Sequence, residues 1–266
     1  MVFQDSYLFV SCEPEQLINR SYTGYVAHIL CNHGECRFLF HEQEFILSAG
    51  NALISYAENI VDITQSENCQ LRIVATHPEF HLQCVPQSNF GIQGSLDLYL
   101  NPIIELTPEE WKNLNNDFDQ IAYRLQIDSP FKMDFMTNVV QLMFLDFFQP
   151  HSRQVKVKQI SSQSANNMVR FIRMLHAKKY MEHREVAWYA SELCMAPKYL
   201  TEVSVKTSGK PASYWINRFT AIEIQQRLKQ RDTNISQVCD EFHFSSLPHF
   251  TRFVAQQLGR LPSDYK

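Results

Sequence analysis

Histidine and cysteine side chains, whose ring nitrogens and thiolates are the usual ligands of zinc, cluster near the start of the 266-residue sequence. The cluster consists of His28, Cys31, His33, Cys36 and His41. It contains no C-x-x-C pair, and a hairpin turn at residues 32–35 would hold the first and last histidines far apart on opposite arms. We therefore expect neither a metal site nor a cofactor. The same turn would place Cys31 opposite Cys36, which leaves a redox bridge between them as an alternative.

Arrangements typical of catalysis are missing from the sequence. It has no close H-x-H pair followed by a carboxylate at suitable spacing, and it has no Ser-His-Asp motif. We therefore expect a protein that is not an enzyme.

Polar side chains at helical spacing near the C terminus have the chemistry of base and phosphate recognition. Leu200 and Val203 point one predicted helix, which begins at Pro197, toward a core. The outward positions of this helix are Lys198, Thr201 and Glu202, with Lys206 further along toward phosphate. The ordinary alternative for each side chain is a solvated helix face.

A second helix with the same chemistry is predicted from about Ser246 to Gln257, anchored by Phe250 and Phe253. Its positions available to base edges or phosphates are Ser246, His249, Thr251 and Arg252. An arginine can pair with guanine through two hydrogen bonds, and serine or threonine can bond to a base or a phosphate. Only three or four side chains of such a helix usually reach bases.

These two helices belong to a degenerate repeat. Leu200, Val203 and Gly209 recur fifty positions later as Phe250, Phe253 and Gly259, and Pro211 and Tyr214 recur at an offset of fifty-one as Pro262 and Tyr265. The pattern predicts two helix-turn-helix motifs joined by one long helix, Pro211 to Lys229, suited to insertion into successive major grooves of DNA.

Charge is divided unevenly along the chain. Residues 1–150 carry 6 Lys+Arg and 19 Asp+Glu, whereas residues 151–266 carry 18 and 9. The front is therefore strongly acidic and the back strongly basic. This asymmetry indicates a basic domain that faces a polyanion and an acidic domain kept away from it.

The front half shows the pattern of an antiparallel β domain followed by helices. Residues 1 to about 104 form short apolar runs separated by turns, including a predicted hairpin of residues 22–31 and 37–41, which favours a barrel or sandwich with space for a ligand. Thr107 and Glu110 form a capping box that begins one helix, and a second helix runs from Phe131 to Phe148 before Pro150 closes the domain. The apolar stripes of these helices pack on their own barrel, or pair with a second copy in a dimer.

Targeting and membrane signals are weak. The N-terminal MVFQDSYLFVSCEPE lacks the basic start of a secretory signal, and the longest apolar stretch, Val139 to Phe148, is far shorter than the roughly 20 residues of a membrane span. Seven irregularly spaced cysteines favour reduced thiols. We expect a soluble cytoplasmic protein without a membrane partner.

Residues 165 to 266 resemble the paired helix-turn-helix domain of AraC/XylS-type transcriptional regulators. The resemblance is carried by VAWYASELCMAPKYLTEVSVKTSGKPASYWI and ISQVCDEFHFSSLPHFTRFVAQQLGRLPSDYK. Its most specific residues are Phe244, Phe250, Arg252, Phe253, Gly259, Pro262 and Tyr265. The resemblance implies that the matching positions Ser246, His249 and Arg252 contact DNA.

The resemblance also implies an α+β protein of two domains. Residues 1–150 would be a cupin-like antiparallel β-barrel with a helical hairpin that senses an effector or dimerises, and residues 168–266 the all-α DNA-binding domain. The polar, serine-rich run from Gln154 to Asn167 separately marks a linker, taken as residues 151–167. The expected function is sequence-specific transcriptional regulation, with double-stranded DNA, an unidentified small-molecule effector, a second copy in a homodimer and RNA polymerase as partners. A metal-dependent cupin-type enzyme and a protein–protein adaptor are the alternatives.

Three departures from the family pattern predict a weaker hold on phosphate. Ala255 and Gln256 replace the usual lysine pair, His243 stands where glycine is usual, and Phe219 stands where arginine is common. Glu202 would repel phosphate unless it accepts a hydrogen bond from cytosine. Such a member would rely on dimerisation for affinity.

Overall fold

The computed structural model describes residues 3–18, 22, 24–40, 43–86, 89–155, 159–230 and 233–265. His41, one of the histidines of the N-terminal cluster, lies outside these residues. The chain divides into two compact units, Met1–Val157 and Lys158–Lys266. Within the described residues, no helix is long and apolar enough to span a bilayer.

Two antiparallel sheets form the framework of the first unit. The strands are β1 (Leu8–Ser11), β2 (Val26–His33), β3 (Glu35–Phe40), β4 (Gln43–Ser48), β5 (Asn51–Tyr56), β6 (Ile60–Gln65), β7 (Gln70–Thr76) and β8 (Ile103–Glu105). One sheet has the order β1-β7-β2-β5-β8, and the other has the order β4-β3-β6.

The prediction of a closed barrel is wrong for the described strands, which form two separate sheets. The reason lies in strands such as β2 and β5, whose side chains are buried on both faces. One face of β2 carries Ala27 and Ile29 into a core between the two sheets, and the other carries Val26 and Leu30 into a core under helices. A strand buried on both faces needs a covering layer on each side, and the helices supply the second layer.

The predicted hairpin of residues 22–31 and 37–41 is also wrong. β2 pairs with β5 and β7, whereas β3 pairs with β4 and β6. The chain changes sheets at a bulge between Cys31 and His33 and at Gly34, whose φ of +68° places it in the left-handed region. A Cβ at Gly34 would lie 2.8 Å from Cys69 Cα, so a side chain does not fit there.

The described part of the first unit also contains four α-helices, which pack against one face of the five-stranded sheet. They are α1 (Pro78–Cys84), α2 (Asn89–Leu98), α3 (Pro108–Leu125) and α4 (Lys132–Gln154). The predicted capping box is present, since Thr107 and Glu110 bond to each other's backbone. Pro150 does not close the domain. It is buried inside α4. The last turn of α4 is held by a hydrogen bond from the Gln154 side-chain amide to the Glu105 carbonyl, by one from the Glu105 N–H to Gln154 Oε1, and by an ion pair between Arg153 and Glu110.

The second unit is helical. Its helices are α5 (Ser162–His176), α6 (Val186–Glu192), α7 (Pro197–Ser208), α8 (Ala212–Leu228), α9 (Ile235–Glu241) and α10 (Leu247–Leu258). The predicted linker of residues 151–167 is shorter in the structure, because α4 continues to Gln154 and α5 begins at Ser162. The Ser161 side chain accepts a hydrogen bond from the Ser164 amide, so these serines begin a helix.

Candidate nucleic-acid interface

Helix α7 is fixed in orientation by its caps and by its buried face. Pro197 occupies the first turn, where its missing N–H costs nothing, and Gly209 ends the helix with a φ of 74°. Leu200 and Val203 are fully buried, as the sequence predicted. The Ser204 hydroxyl is also buried and donates a 2.7 Å hydrogen bond to the Lys210 carbonyl beyond the helix end.

The opposite face of α7 presents the predicted readers. Lys198, Glu202 and Lys206 are exposed, and Thr201 is half-buried. Two apolar side chains that the sequence reasoning missed lie exposed on the same helix, Tyr199 at 41% and Val205 at 42%. Tyr199 stands fifty positions before His249, so the repeat itself was the signal that would have identified it. Exposed apolar groups of this kind can contact thymine methyl groups.

Helix α10 has the same construction. Ser246 is its N-cap, Pro248 lies in the first turn, and Gly259 ends it with a φ of 72°. Phe250 and Val254 are fully buried. The predicted anchor Phe253 is only half-buried and packs against Phe244 at a ring distance of 5.2 Å.

Some polar side chains of α10 already form hydrogen bonds within the protein, and others are free to contact DNA. Arg252 is exposed, and Thr251 is half-buried. The Ser246 hydroxyl oxygen accepts a hydrogen bond from the His249 amide, which is a capping role. His249 Nδ1 lies 3.2 Å from the Ser245 hydroxyl, so Nε2 is the ring atom left for a ligand.

Basic side chains of the second unit fall into two groups. Lys178 and Arg227 are committed to the fold, because Lys178 Nζ lies 2.8 Å from Glu223 and Arg227 lies 2.9 Å from Glu241. Lys198, Lys206 and Arg252 belong to no ion pair in the part of the chain that the structure describes. The exposed cations of the two helices are therefore available to an external anion.

Two non-glycine residues adopt left-handed backbone conformations at the turns before these helices. Cys194 has a φ of 57° after α6, and His243 has a φ of 51° after α9. Glycine adopts such a conformation without steric cost. A glycine at the position of His243 would therefore adopt this turn without strain, and the equivalent turn before α7 has the same geometry.

Arg184 joins the two helix pairs directly, a role that no sequence pattern indicated. Its guanidinium donates hydrogen bonds to the carbonyls of Phe242 and His243, the second at 3.2 Å, and lies 4.0 Å from the centre of the Phe244 ring. Arg184 precedes α6, whereas its partners follow α9. Since α8 also contacts α6, α7, α9 and α10, the two pairs are held together by a helix and by a guanidinium bridge.

The cysteines proposed as a redox pair lie in the core between the two sheets. Cys31 and Cys36 are buried and unbridged. Burial, with the nearby Cys69 thiol as a second cause, raises the pKa of each to about 12. Because the thiolate is the reactive form, these thiols are unreactive at neutral pH. The described residues contain no group of three or more metal-ligating side chains.

Comparison with known proteins identifies the helical unit. Residues 189–266 match a family described as a helix-turn-helix domain. No curated protein sequence matches the chain significantly.

Several solved structures resemble the chain at low identity. Unsaturated fatty acid-bound wild-type ToxT from Vibrio cholerae strain SCE256 has a TM-score of 0.48 at 13% identity, with 100% of this chain and 96% of that chain covered. ToxT from Vibrio cholerae O395 has a TM-score of 0.46 at 12% identity, covering 97% and 91%. The AraC-like transcriptional activator CuxR has a TM-score of 0.38 at 11% identity, covering 88% and 77%.

Proposed function

We propose that this protein, a DNA-binding transcriptional regulator whose C-terminal part is an AraC-type helix-turn-helix domain, reads two successive major grooves of DNA with α7 and α10. The observation that carries the proposal is the matched construction of the two helices. Each has a proline in its first turn, a left-handed glycine at its end, a buried apolar face and an exposed polar face. Two equal helices in one rigid unit are suited to grooves one helical turn apart.

The roles of individual side chains follow from their charge and position. Lys198 and Lys206 supply phosphate contacts, which position the protein without reading sequence. Arg252 pairs with guanine in the second groove. Glu202, which no cation of the described residues neutralises, accepts a hydrogen bond from the cytosine amino group in the first. Thr201, Thr251, Ser246 and His249 are secondary contacts.

The first unit supplies dimerisation and effector control in this proposal. Helix α4 carries exposed apolar side chains at Phe135 (43%), Leu142 (50%) and Leu145 (47%). Phe135 and Leu142 are one heptad apart, which is the spacing of helices that pair in coiled coils. A second copy of the chain that buries this face would give a homodimer and two sets of reading helices.

Selection of bound duplexes from a random pool by the full-length protein tests the proposal. The expected product contains two short half-sites per protein copy, spaced by about 10 base pairs, and binding should weaken steeply as salt rises. Enrichment of a single isolated half-site would contradict the paired reading. Binding unaffected by salt would exclude phosphate contact.

A further inference from the structure

Tyr199, Glu202 and Val205 form one row along the exposed surface of α7. They are spaced three residues apart, so their side chains are neighbours on the helix, with Glu202 in the middle. Glu202 is exposed, as are Tyr199 at 41% and Val205 at 42%, whereas Leu200 and Val203 are buried. The free face of α7 therefore presents a carboxylate with carbon surface before and after it.

The carboxylate of Glu202 forms no ion pair within the residues that the structure describes. Lys198 and Lys206 lie one turn before and one turn after it, and they outnumber it, so the helix face as a whole still attracts phosphate. A carboxylate in the major groove needs a hydrogen-bond donor, because the acceptors of the base edges repel it. The base that Glu202 contacts must therefore present a donor.

The flanking side chains decide between the two bases that have such a donor. Cytosine and adenine each present an amino group in the major groove. Beside this group adenine has the N7 acceptor, which repels a carboxylate, whereas cytosine has the C5 carbon. The carbon surfaces of Tyr199 and Val205 suit C5, and a methyl group on C5 would give them more apolar surface to bury. The row therefore matches the edge of cytosine, and that of 5-methylcytosine better.

Fifty positions further along the chain, α10 has a row of opposite chemistry, which consists of His249, Arg252 and Ala255. A cation occupies its middle position and is suited to the two acceptors of guanine. The imidazole before it is hydrogen-bonded to Ser245, and the alanine after it is half-buried. The second motif has no pair of exposed apolar side chains around its central residue, so a preference for a methylated base is expected from α7 alone.

We propose that the row formed by Tyr199, Glu202 and Val205 recognises 5-methylcytosine in duplex DNA and prefers it to cytosine. Glu202 accepts a hydrogen bond from the N4 amino group, and the flanking side chains contact the C5 methyl group. Methylation at C5 leaves the amino donor in place, so the methyl contact alone sets the preference. This inference rests on the proposed function, since it requires α7 to lie in a major groove. Binding of the protein to its site then depends on cytosine methylation.

Duplexes that differ by one methyl group test the proposal on the unmodified full-length protein. Each cytosine of the selected site, in either strand, is replaced singly by 5-methylcytosine, and affinity is measured by fluorescence anisotropy. We expect one position at which the methyl group strengthens binding about fourfold, the gain for burying one methyl-sized group. Methylation in the half-site that Arg252 reads is the internal control and should leave binding nearly unchanged. Equal or weaker binding of every methylated duplex would overturn the proposal.

Substitutions of the apolar side chains assign the methyl preference to the row. A chain with both Tyr199→Ala and Val205→Ala should bind the methylated and unmethylated duplexes equally. Tyr199→Phe keeps the aromatic ring and should retain the preference. Leu261→Ala, which removes an exposed apolar side chain outside both reading helices, is the control and should also retain it. A methyl preference that survives the double substitution would overturn the assignment.

Glu202→Ala tests the carboxylate at the same base position. It should reduce the preference for cytosine over thymine there about tenfold, because the O4 acceptor of thymine is no longer repelled. It should also strengthen binding to unrelated duplexes, because a negative charge that faces phosphate is removed. A selected site in which Glu202→Ala changes the preference at no cytosine would contradict the proposal.

The same measurements distinguish failure of this inference from failure of the proposed function. A protein that selects paired half-sites but binds cytosine and 5-methylcytosine duplexes alike still reads two grooves, and only the methyl preference is lost. A protein that selects no paired half-sites loses the proposed function, and this inference is overturned with it.

Discussion

In the proposed function, recognition of the DNA base sequence depends on Arg252 more than on any other side chain. This arginine is exposed, it belongs to no ion pair of the described residues, and it lies on the free face of α10. Arg252→Ala should cost about 1–3 kcal/mol at one base position and leave nonspecific binding nearly intact. Competition binding with every single-base variant of the selected site measures this.

Lys206→Ala is the matched comparison, because it also removes one exposed cation from a reading helix. Its loss should weaken binding to all sequences alike and reduce the slope of log affinity against log salt by about 1. A uniform loss for Arg252→Ala as well would reassign Arg252 to phosphate.

His243 holds the turn of the second motif in a left-handed conformation that few side chains adopt readily. Asparagine tolerates this region, whereas a β-branched side chain is a steric outlier there. His243→Val should therefore lower the free energy of unfolding by about 1–2 kcal/mol, whereas His243→Asn should leave it nearly unchanged. Urea unfolding of both variants gives the comparison, and equal stability would mean that the turn relaxes.

At the scale of elements, α3 and α4 are joined through two carboxyl groups. Asp117 is buried, one of its oxygens makes no hydrogen bond to described atoms, and burial with the adjacent Asp146 raises its pKa to about 8. The folded state therefore keeps a proton that the unfolded chain loses above about pH 4. Stability should fall as pH rises from about 4 to 8 and should change little from this group above pH 8.

Asp117→Asn removes this dependence, since an amide has nearly the shape of a protonated carboxyl group and does not titrate. We expect a gain of at least about 1 kcal/mol at pH 8, because each pKa unit corresponds to about 1.4 kcal/mol. The gain should shrink toward pH 4. Urea unfolding at pH 5 and pH 8 measures it, with Asp128→Asn, at an exposed position after α3, as the control. An equal effect at both pH values would contradict a retained proton.

Elements with local signals were the ones that the sequence predicted well. The capping box of Thr107 and Glu110 began α3 as expected, and Pro197 began α7. Sheet pairing was mispredicted because the turn sequence at Gly34 is compatible with two outcomes. The chain can form a hairpin there, or it can cross from one sheet to the other. The helical start at Ser162 was missed because a serine-rich run is typical both of a linker and of a helix cap.

At the scale of the whole molecule, the segregation of charge and the repeat could be predicted from the sequence, because each is a pattern that extends over many residues. The surroundings of His28 could not, because they depend on which face of β2 carries His28 and on which helix covers that face. Arg184 was likewise invisible, since its partners lie 58 and 59 positions further along the chain. Contacts of that separation follow from packing and leave no spacing signal.

We expect Arg184 to fix the spacing between the two reading helices. Its bridge from the start of α6 to the turn after α9 restricts the motion of one helix pair against the other. Arg184→Ala should leave each half-site recognised but relax the preference for a spacing of about 10 base pairs between them. Affinity for duplexes with half-sites moved closer or apart by one base pair would then approach that for the selected site. Arg173→Ala, which removes an exposed cation from α5, controls for the lost charge and should keep the spacing preference. A spacing preference that Arg184→Ala leaves intact would mean that α8 alone orients the two readers.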